Sequence, residues 1–230
     1  MMGGGRWCIS VCSDAGSWIN GSIPGLIDDW LTQGYEVRWA LGANTLPEGD
    51  VCFYLSYGQI VGANILKRHK NNLVVHASDL PKGRGWSPLT WQIIEGEKLI
   101  PVTLFEAAEA VDSGPNYKQL HLHILGSKLI HDLRKAIAEA MIGLCRFFVS
   151  AYPGVVQTGL SQKGEPSLYA RRQPDDSFKD VDKSRKEQFN LLRTVDNNNY
   201  PAWFELNGER FKLLIEILDN SSVKEPQKKN

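Results

Sequence analysis

The stretch NNLVVHASDLPKGRGWSP, residues 71–88, joins a strand pattern to an irregular loop. Its apolar run, residues 73–75, is typical of a buried strand, and the run ends at a lone histidine, His76. Two prolines, two glycines, a tryptophan and two basic residues then follow. This composition indicates a shaped segment rather than a flexible connection, and it makes the end of the strand the first place to look for a site.

Length and composition narrow the class of protein. The 230 residues suffice for one α/β domain with a small appendage or for two compact domains. Hydrophobic residues make up 42% and charged residues 23%, which is ordinary for a soluble globular protein. The formal net charge is +0, from 26 basic and 26 acidic side chains, which argues against a large nucleic-acid surface.

Cysteine usage and hydropathy predict a cytoplasmic protein. The four cysteines form no CxxC pair, and two of them lie in apolar strand-like runs, which favours reduced thiols in a reducing compartment. No segment approaches the roughly 18 consecutive apolar residues of a membrane span. The start, MMGGGRW, has too short an apolar run for a secretory signal. We therefore expect no membrane association.

Alternating patterns predict a Rossmann-like α/β fold, with a mostly parallel sheet flanked by helices. Predicted strands cover 6–12, 35–41, 51–56, 73–76, 99–107 and 117–125. Predicted helices cover about 17–33, 59–70, 87–96 and 126–151, and Ser87 and Pro88 look like the N-cap and N1 of the third.

The pattern of the sequence changes after Pro153, where short strand-like pieces and a polar stretch follow the long predicted helix. We expect one domain over 1–152, a small lobe over 153–220 and a frayed tail over 221–230. The lobe contains a predicted hairpin over 202–218 that turns at Asn207-Gly208.

Polar residues follow two of the predicted strands. Ligands bind at the carboxyl ends of the strands in open parallel sheets, where His76 lies. Glu106, Glu109 and Asp112 come at or just after the end of the strand at 99–107, so we expect a histidine and a carboxylate to face one cleft. The same pattern also fits a histidine that only satisfies local hydrogen bonds.

Several other chemistries lack their motifs. The glycine run at 3–5 precedes the first strand, and no GxGxxG, P-loop or GxSxG sequence follows. His121 and His123 share one face of a strand without a third ligand at metal-site spacing, so we expect no metal.

Three features together resemble the folate-dependent formyltransferases, whose best-known member class is methionyl-tRNA formyltransferase. They are a strand ending in His76, a loop of the form S-x-L-P-K-x-R-G-x-x-P over 78–88, and a later loop ending in Asp-Ser-Gly at 112–114. The likeness is clearest over 70–150 and is closest to the nucleotide-sugar N-formyltransferases. It implies that N10-formyltetrahydrofolate is the co-substrate and that no metal takes part.

The resemblance also implies roles for residues. His76 would accept the amine proton or stabilise the tetrahedral oxyanion, and Asp112 would orient its ring. The family places an asparagine two residues before the histidine, where this chain has Val74. Asn72 lies on the same strand face. We expect it to replace that amide if the strand shifts or bulges; otherwise the role of the amide is absent from this chain. The folate would contact Ser78, Leu80, Pro81, Lys82, Gly83, Gly85, Ala108 and Val111.

Residues 166–206 resemble the equivalent part of the sugar N-formyltransferases. This implies an acceptor that is a nucleotide-linked amino sugar of the 4-amino-4,6-dideoxy type, made for a surface glycan. Its expected contacts are Lys82, Arg84, Trp86, Arg171 and Arg172. The last two arginines suit a diphosphate, but they could equally pair with nearby aspartates.

Three other functions stay open at this stage. The acceptor could be methionyl-tRNA or glycinamide ribonucleotide, or the chain could be a non-catalytic folate-binding relative. The tRNA function fits poorly with the neutral charge and with the short sequence, about 75 residues, after the long helix. The apolar hairpin also allows a homodimer.

Overall fold

The structure is a computed structural model that describes residues 7–198 and 200–218. The glycine run at 3–5 and the predicted tail at 221–230 lie outside the described residues. The chain divides into two compact units, Met1–Arg172 and Gln173–Asn230. This boundary falls later than the predicted one at 152, because residues 160–170 hydrogen-bond to loops of the first unit.

A six-stranded sheet forms the centre of the first unit. The strands of this unit are β1 (Cys8–Cys12), β2 (Glu36–Ala40), β3 (Gly49–Tyr54), β4 (His69–His76), β5 (Arg84–Gly85), β6 (Leu99–Glu106), β7 (Asn116–His123) and β8 (Leu168–Tyr169). The order across the sheet is β2-β1-β3-β4-β6-β7. The prediction of a mostly parallel sheet flanked by helices is confirmed, since β2, β1, β3 and β4 run parallel. The short strands β5 and β8 pair with each other in a separate ladder.

Helices cover the sheet: α1 (Ile23–Thr32), α2 (Ala63–Leu66), α3 (Pro88–Glu95) and α4 (Ile130–Ala151). The long helix α4 buries Leu133, Ile137, Met141 and Phe148, which recur every four or seven positions on one face. Phe53 of β3 joins α1 to α4, because its ring stacks on Trp30 at 5.4 Å and meets Phe148 edge-on at 6.0 Å. This aromatic contact fixes both helices on the face of the sheet that carries the main core.

The region before His76 differs from its prediction. The helix expected over 59–70 is only the single turn α2, and β4 begins at His69 rather than at residue 73. Polar side chains at 71 and 72 interrupt the apolar run and hide the first half of the strand in the sequence. Both side chains are nevertheless buried, because they have hydrogen-bond partners in the fold.

The direction of β6 was also wrong in the sequence-based argument. This strand runs antiparallel to β4, with Glu106 opposite Leu73 and Thr103 opposite His76. Its carboxyl end therefore lies beside the middle of β4 and not beside His76. Glu106 does not belong to the edge of the sheet where the histidine lies.

The second unit contains the predicted hairpin. Strands β9 (Ala202–Leu206) and β10 (Glu209–Leu213) pair antiparallel, and a helical turn, α5 (Phe189–Leu192), precedes them. Asn207 and Gly208 form the turn with φ angles of 53° and 80°, the two positive values of a tight hairpin turn. Phe204 and Phe211 stack across the strands at 5.3 Å.

Glu106 has a structural role between β4, β6 and β7. Its carboxylate accepts hydrogen bonds from the backbone N–H of Asn72 at 2.5 Å, the amide of Asn71 at 3.0 Å and the hydroxyl of Tyr117 at 2.8 Å. Burial nevertheless raises the pKa of Glu106, since the cost of removing the charge from water exceeds what the three donors return.

This shift predicts how the Glu106→Gln variant responds to pH. A carboxyl whose folded pKa is raised above its ordinary value near 4.5 lowers stability as pH rises through the folded pKa. As pH rises from about 4 to about 7, the unfolding free energy of the wild type should therefore decrease relative to that of the variant. Urea titrations at several pH values measure it.

The exposed Glu139 on α4 provides the control. The variant Glu139→Gln should show no such trend. A Glu106→Gln difference that moves in favour of the wild type with rising pH would contradict the prediction.

Candidate active site

An open cleft lies at the carboxyl ends of β3 and β4. Its volume is about 820 Å³, including the space that is open to solvent. The walls come from the residues after β3, the end of β4, the loop at 85–86 and the loop at 107–112. Among its lining residues are Ser56, Val74, His76, Trp86, Val111 and Asp112.

His76 is the last residue of β4 and is only 9% exposed. Its Nε2 lies 2.9 Å from the carbonyl oxygen of Gly83. Because a carbonyl only accepts, Nε2 carries the proton of the neutral ring and Nδ1 carries the lone pair. Within residues 7–198 and 200–218, Nδ1 has no hydrogen-bond partner, and it is not buried from solvent. Nδ1 is therefore the ring nitrogen that can accept a proton.

Asp112 lies next to the histidine. Its Oδ2 is 3.7 Å from Nε2 of His76 and accepts a hydrogen bond from the backbone N–H of Gly85 at 2.8 Å. The loop after β6 returns to His76, since the antiparallel β6 itself ends elsewhere. Gly114 makes the return possible: a side chain there would overlap the carbonyl oxygen of Glu106. The structure thus brings His76 and Asp112 together by a route that the sequence did not indicate.

Backbone strain is concentrated around this cleft. Ser56, Ser87 and Asp112 adopt left-handed φ angles of 48°, 52° and 49°, which non-glycine residues rarely adopt. Such conformations cost about 1–3 kcal/mol each and persist where surrounding contacts impose them. Two of the three, Ser56 and Asp112, line the cleft. Strain at these positions is consistent with a functional site.

The loop over 77–87 is rigid because glycines let another segment approach closely. Gly83 has φ 70°, and a Cβ there would lie 2.8 Å from the ring of Tyr169. Gly85 has φ 97°, and a Cβ there would overlap the carbonyl oxygen of Tyr169. Pro88 begins α3 at N1 as predicted, whereas the Ser87 side chain makes no capping hydrogen bond.

The residues expected to contact the folate fall into three groups. Gly85, Ala108 and Val111 line the cleft. Ser78, Leu80, Pro81 and Gly83 are buried within the loop and shape it. Lys82 is exposed and does not line the cleft.

The residues expected to contact the acceptor are also divided. Trp86 lines the cleft, and the exposed Arg171 places its guanidinium 5.4 Å from the Trp86 ring while donating to the carbonyl of Gly58. Arg84 is outside the lining and donates to the side chain of Gln162 at 2.5 Å. Arg172 is buried and is also outside the lining.

The structure does not bring Asn72 to His76. Its side-chain amide donates to the carbonyl of Leu66 at 2.8 Å, and its oxygen accepts from the Tyr54 hydroxyl at 3.2 Å. The pairing of β4 with β3 and β6 is regular, so the bulge that the prediction required is absent from β4. Four residues of strand separate Asn72 from His76, roughly 13 Å. Asn72 stabilises the sheet, and apolar Val74 faces the cleft.

Sequence reasoning missed the segment after α4. Strand β8 pairs with β5, the hydroxyl of Ser167 accepts from the Gly83 N–H, and the amide of Gln162 donates to the carbonyls of Asp112 and Gly114. A two-residue strand has no periodicity to detect, and a polar segment gives no sign of which loops it will contact.

Two further searches concern metals and membranes. No group of three or more potential metal-ligating side chains occurs in the described part of the chain. Among the helices within residues 7–198 and 200–218, none is long and apolar enough to span a bilayer.

The return of the Asp112 loop gives a stability prediction. Gly114→Ala should destabilise the protein and displace Asp112, because the added methyl overlaps backbone rather than a movable side chain. Gly143→Ala is the matched control: this exposed position in α4 has nothing within 4 Å, and the change should stabilise by about 0.5–1 kcal/mol. Thermal or urea unfolding compares the two. A Gly114→Ala variant as stable as the wild type would contradict the overlap.

Residues 43–144 match the family model described as formyl transferase. The chain is 29% identical over 179 residues to the methionyl-tRNA formyltransferase of Thermodesulfovibrio yellowstonii, which covers 76% of this chain and 57% of the relative. The chain thus spans little more than half the length of the curated relatives it matches.

Two solved structures share the fold. A methionyl-tRNA formyltransferase from Clostridium thermocellum has a TM-score of 0.80 at 17% identity, covering 94% of this chain and 95% of that one. A sugar N-formyltransferase from a Shewanella species has a TM-score of 0.69 at 12% identity, covering 93% and 99%. The matched segment, residues 43–144, contains His76 and Asp112, and the resemblance to the formyltransferases found in the sequence is confirmed over that segment.

Proposed function

We propose that this protein transfers a formyl group from N10-formyltetrahydrofolate to the amine of an acceptor. The observation that carries the proposal is the state of His76. Its Nε2 is held by the carbonyl of Gly83, its Nδ1 carries the lone pair, and the carboxylate of Asp112 is adjacent; both residues line the cleft.

The cleft fits a folate. Apolar side chains, including Val74, Phe105 and Val111, line it together with the close backbone approach at Gly85, which suits a flat heterocycle with polar edges. Gly85, Ala108 and Val111 would hold the folate, and the bound folate supplies the activated formyl group.

His76 would act as the general base. An amine becomes a product amide only if it loses a proton, and Nδ1 of the neutral ring has the lone pair to accept one. Nε2 keeps its own proton in the hydrogen bond to the carbonyl of Gly83, so the ring then carries a positive charge. Asp112 stabilises that charge from 3.7 Å without taking the proton itself. The protonated ring would give the amine proton to the nitrogen of tetrahydrofolate as its bond to the formyl carbon breaks, which returns His76 to the neutral form.

For the acceptor, we propose a nucleotide-linked amino sugar of the 4-amino-4,6-dideoxy type, used for a surface glycan. Trp86 offers an aromatic face at the cleft, and Arg171 above it offers a guanidinium suited to a diphosphate. Glu109 and Asp112 are the acidic residues among the described lining, which contains neither lysine nor arginine. Such a cleft suits a small cationic amine better than a polyanion.

Methionyl-tRNA is the second candidate acceptor. It is favoured by the sequence relatives, since relatives that align with 73–76% of this chain carry that name. Recognition of tRNA would need basic residues along the phosphate backbone, which the cleft itself does not provide.

A formyl-transfer assay tests the proposal. The purified protein and N10-formyltetrahydrofolate are offered nucleotide-linked amino sugars, initiator methionyl-tRNA and glycinamide ribonucleotide. We expect turnover with a nucleotide amino sugar, and we expect His76→Ala and Asp112→Asn each to lower kcat on the order of 10²-fold or more, since general acid–base positioning contributes 10²–10⁴-fold.

His121→Ala is the matched control, because His121 is exposed on β7 outside the cleft lining, and it should keep wild-type turnover. Transfer to tRNA and to no sugar would overturn the acceptor. Undiminished turnover by His76→Ala would remove the histidine from the mechanism. Folate binding without transfer to any acceptor would favour a non-catalytic relative.

A further inference from the structure

We infer that Gln162 is the positioning residue for Asp112, tying it to the loop that holds His76. This inference rests on the proposed function for its catalytic meaning, but the contacts themselves do not depend on it. Gln162 lies outside every motif that the sequence singled out.

The side-chain amide of Gln162 forms three hydrogen bonds, one to the loop at 77–87 and two to the loop at 107–114. Its NH₂ group donates to the carbonyl of Asp112 at 2.8 Å and to the carbonyl of Gly114 at 2.9 Å. Its oxygen accepts from the guanidinium of Arg84 at 2.5 Å. The opposite amide orientation would place oxygen against two carbonyls and NH₂ against a cation, so the assignment of the two atoms is determined by the partners.

These contacts answer a specific requirement at Asp112. This residue has a left-handed φ of 49°, which a non-glycine residue adopts only when its surroundings impose it. Gln162 holds the carbonyls on both sides of Ser113, so it fixes the backbone from which the carboxylate projects. Without it, the loop can relax toward an unstrained conformation and the carboxylate can move from His76.

Gln162 also connects the loop that contains Arg84 to the loop that contains Asp112. Arg84 and Gly85 are consecutive residues of β5: the first reaches Asp112 through Gln162, and the second donates its N–H to the Asp112 carboxylate. Gly83, the residue before them, accepts from His76. The three successive residues 83–85 thus hold the His76 ring, the Asp112 carboxylate and, through Gln162, the Asp112 backbone carbonyl.

Gln162 is itself well anchored. Leu160, two residues earlier, pairs with Asn116 through two backbone hydrogen bonds of 2.8 Å and 2.9 Å. Ser167, five residues later, accepts from the Gly83 N–H and pairs with the loop backbone through Arg84 and Pro81. The amide is therefore held from both directions along the chain, as a positioning group must be.

The test measures position and turnover separately. Amide hydrogen exchange of Gly85, followed by NMR, reports the bond to the Asp112 carboxylate without any substrate. In Gln162→Leu we expect exchange at Gly85 to be at least about 10-fold faster, because the acceptor is displaced. Gln162→Glu, which keeps the shape and the contact to Arg84 but loses both donors, should behave similarly. Gln157→Leu changes an exposed glutamine in the same segment and should leave exchange unchanged.

Turnover then tests the catalytic meaning. Gln162→Leu should lower kcat by roughly 10- to 100-fold, with KM for the folate within about 3-fold, since misplacing a catalytic group by about 1 Å has effects of this size. In an Asp112→Asn background the same change should lower kcat by less than about 3-fold, because the residue it positions is already disabled. A general structural defect would instead give additive losses.

Each outcome decides the matter. Unchanged exchange at Gly85 in both Gln162 variants would overturn the inference, as would faster exchange with wild-type kcat or an additive double variant. If the wild type transfers formyl to none of the acceptors, the proposed function fails. The exchange data alone then decide whether Gln162 holds the Asp112 loop.

Discussion

The hydrogen bond from Nε2 of His76 to the carbonyl of Gly83 is the constraint on which the site depends. It fixes the tautomer of a nearly buried ring and leaves the lone pair on the other nitrogen, Nδ1. The Phe105 ring lies nearly perpendicular to the imidazole, with 6.5 Å between the two ring centroids. A bond to a backbone carbonyl holds the ring only if that carbonyl is itself fixed, so the rigidity of the loop at 77–87 is part of the chemistry.

That rigidity comes from a neighbouring segment and not from the loop's own composition. Strand β8 gives β5 a partner, and Tyr169 packs where the glycines at 83 and 85 have no side chain. The backbone N–H of Trp86 donates to the Tyr169 carbonyl at 3.2 Å, and the Trp91 indole N–H donates to the Ala170 carbonyl at 2.9 Å. Residues 160–170 therefore hold the loop at 77–87 in place while lying mostly outside the cleft. Gly83 and Gly85 are required because Tyr169 approaches too closely for a side chain at either position.

Sequence patterns predicted the sheet, its flanking helices and the hairpin, because hydrophobic periodicity and the Asn207-Gly208 turn are local signals. They could not give the direction of β6, since the same residues would form a parallel or an antiparallel strand. His76 and Asp112 were found through a motif, although the stated reason, adjacent carboxyl ends of parallel strands, was wrong. Asn72 was misjudged because its burial and its contacts depend on Tyr54 and on the turn before β4, which are tertiary facts. Gln162 gave no signal at all: a single polar residue in a polar segment has nothing in its neighbours to mark it.

The tautomer of His76 tests the account most directly. Nitrogen-15 NMR of the labelled imidazole, at a pH where the ring is neutral, distinguishes a protonated Nε2 from a protonated Nδ1. The structure predicts that Nε2 carries the proton and that Nδ1 is unprotonated, because Gly83 offers only an acceptor. Protonated Nδ1 in the neutral ring would mean that the lone pair is on Nε2 and points at the carbonyl of Gly83, and it would contradict the role of His76 as the base.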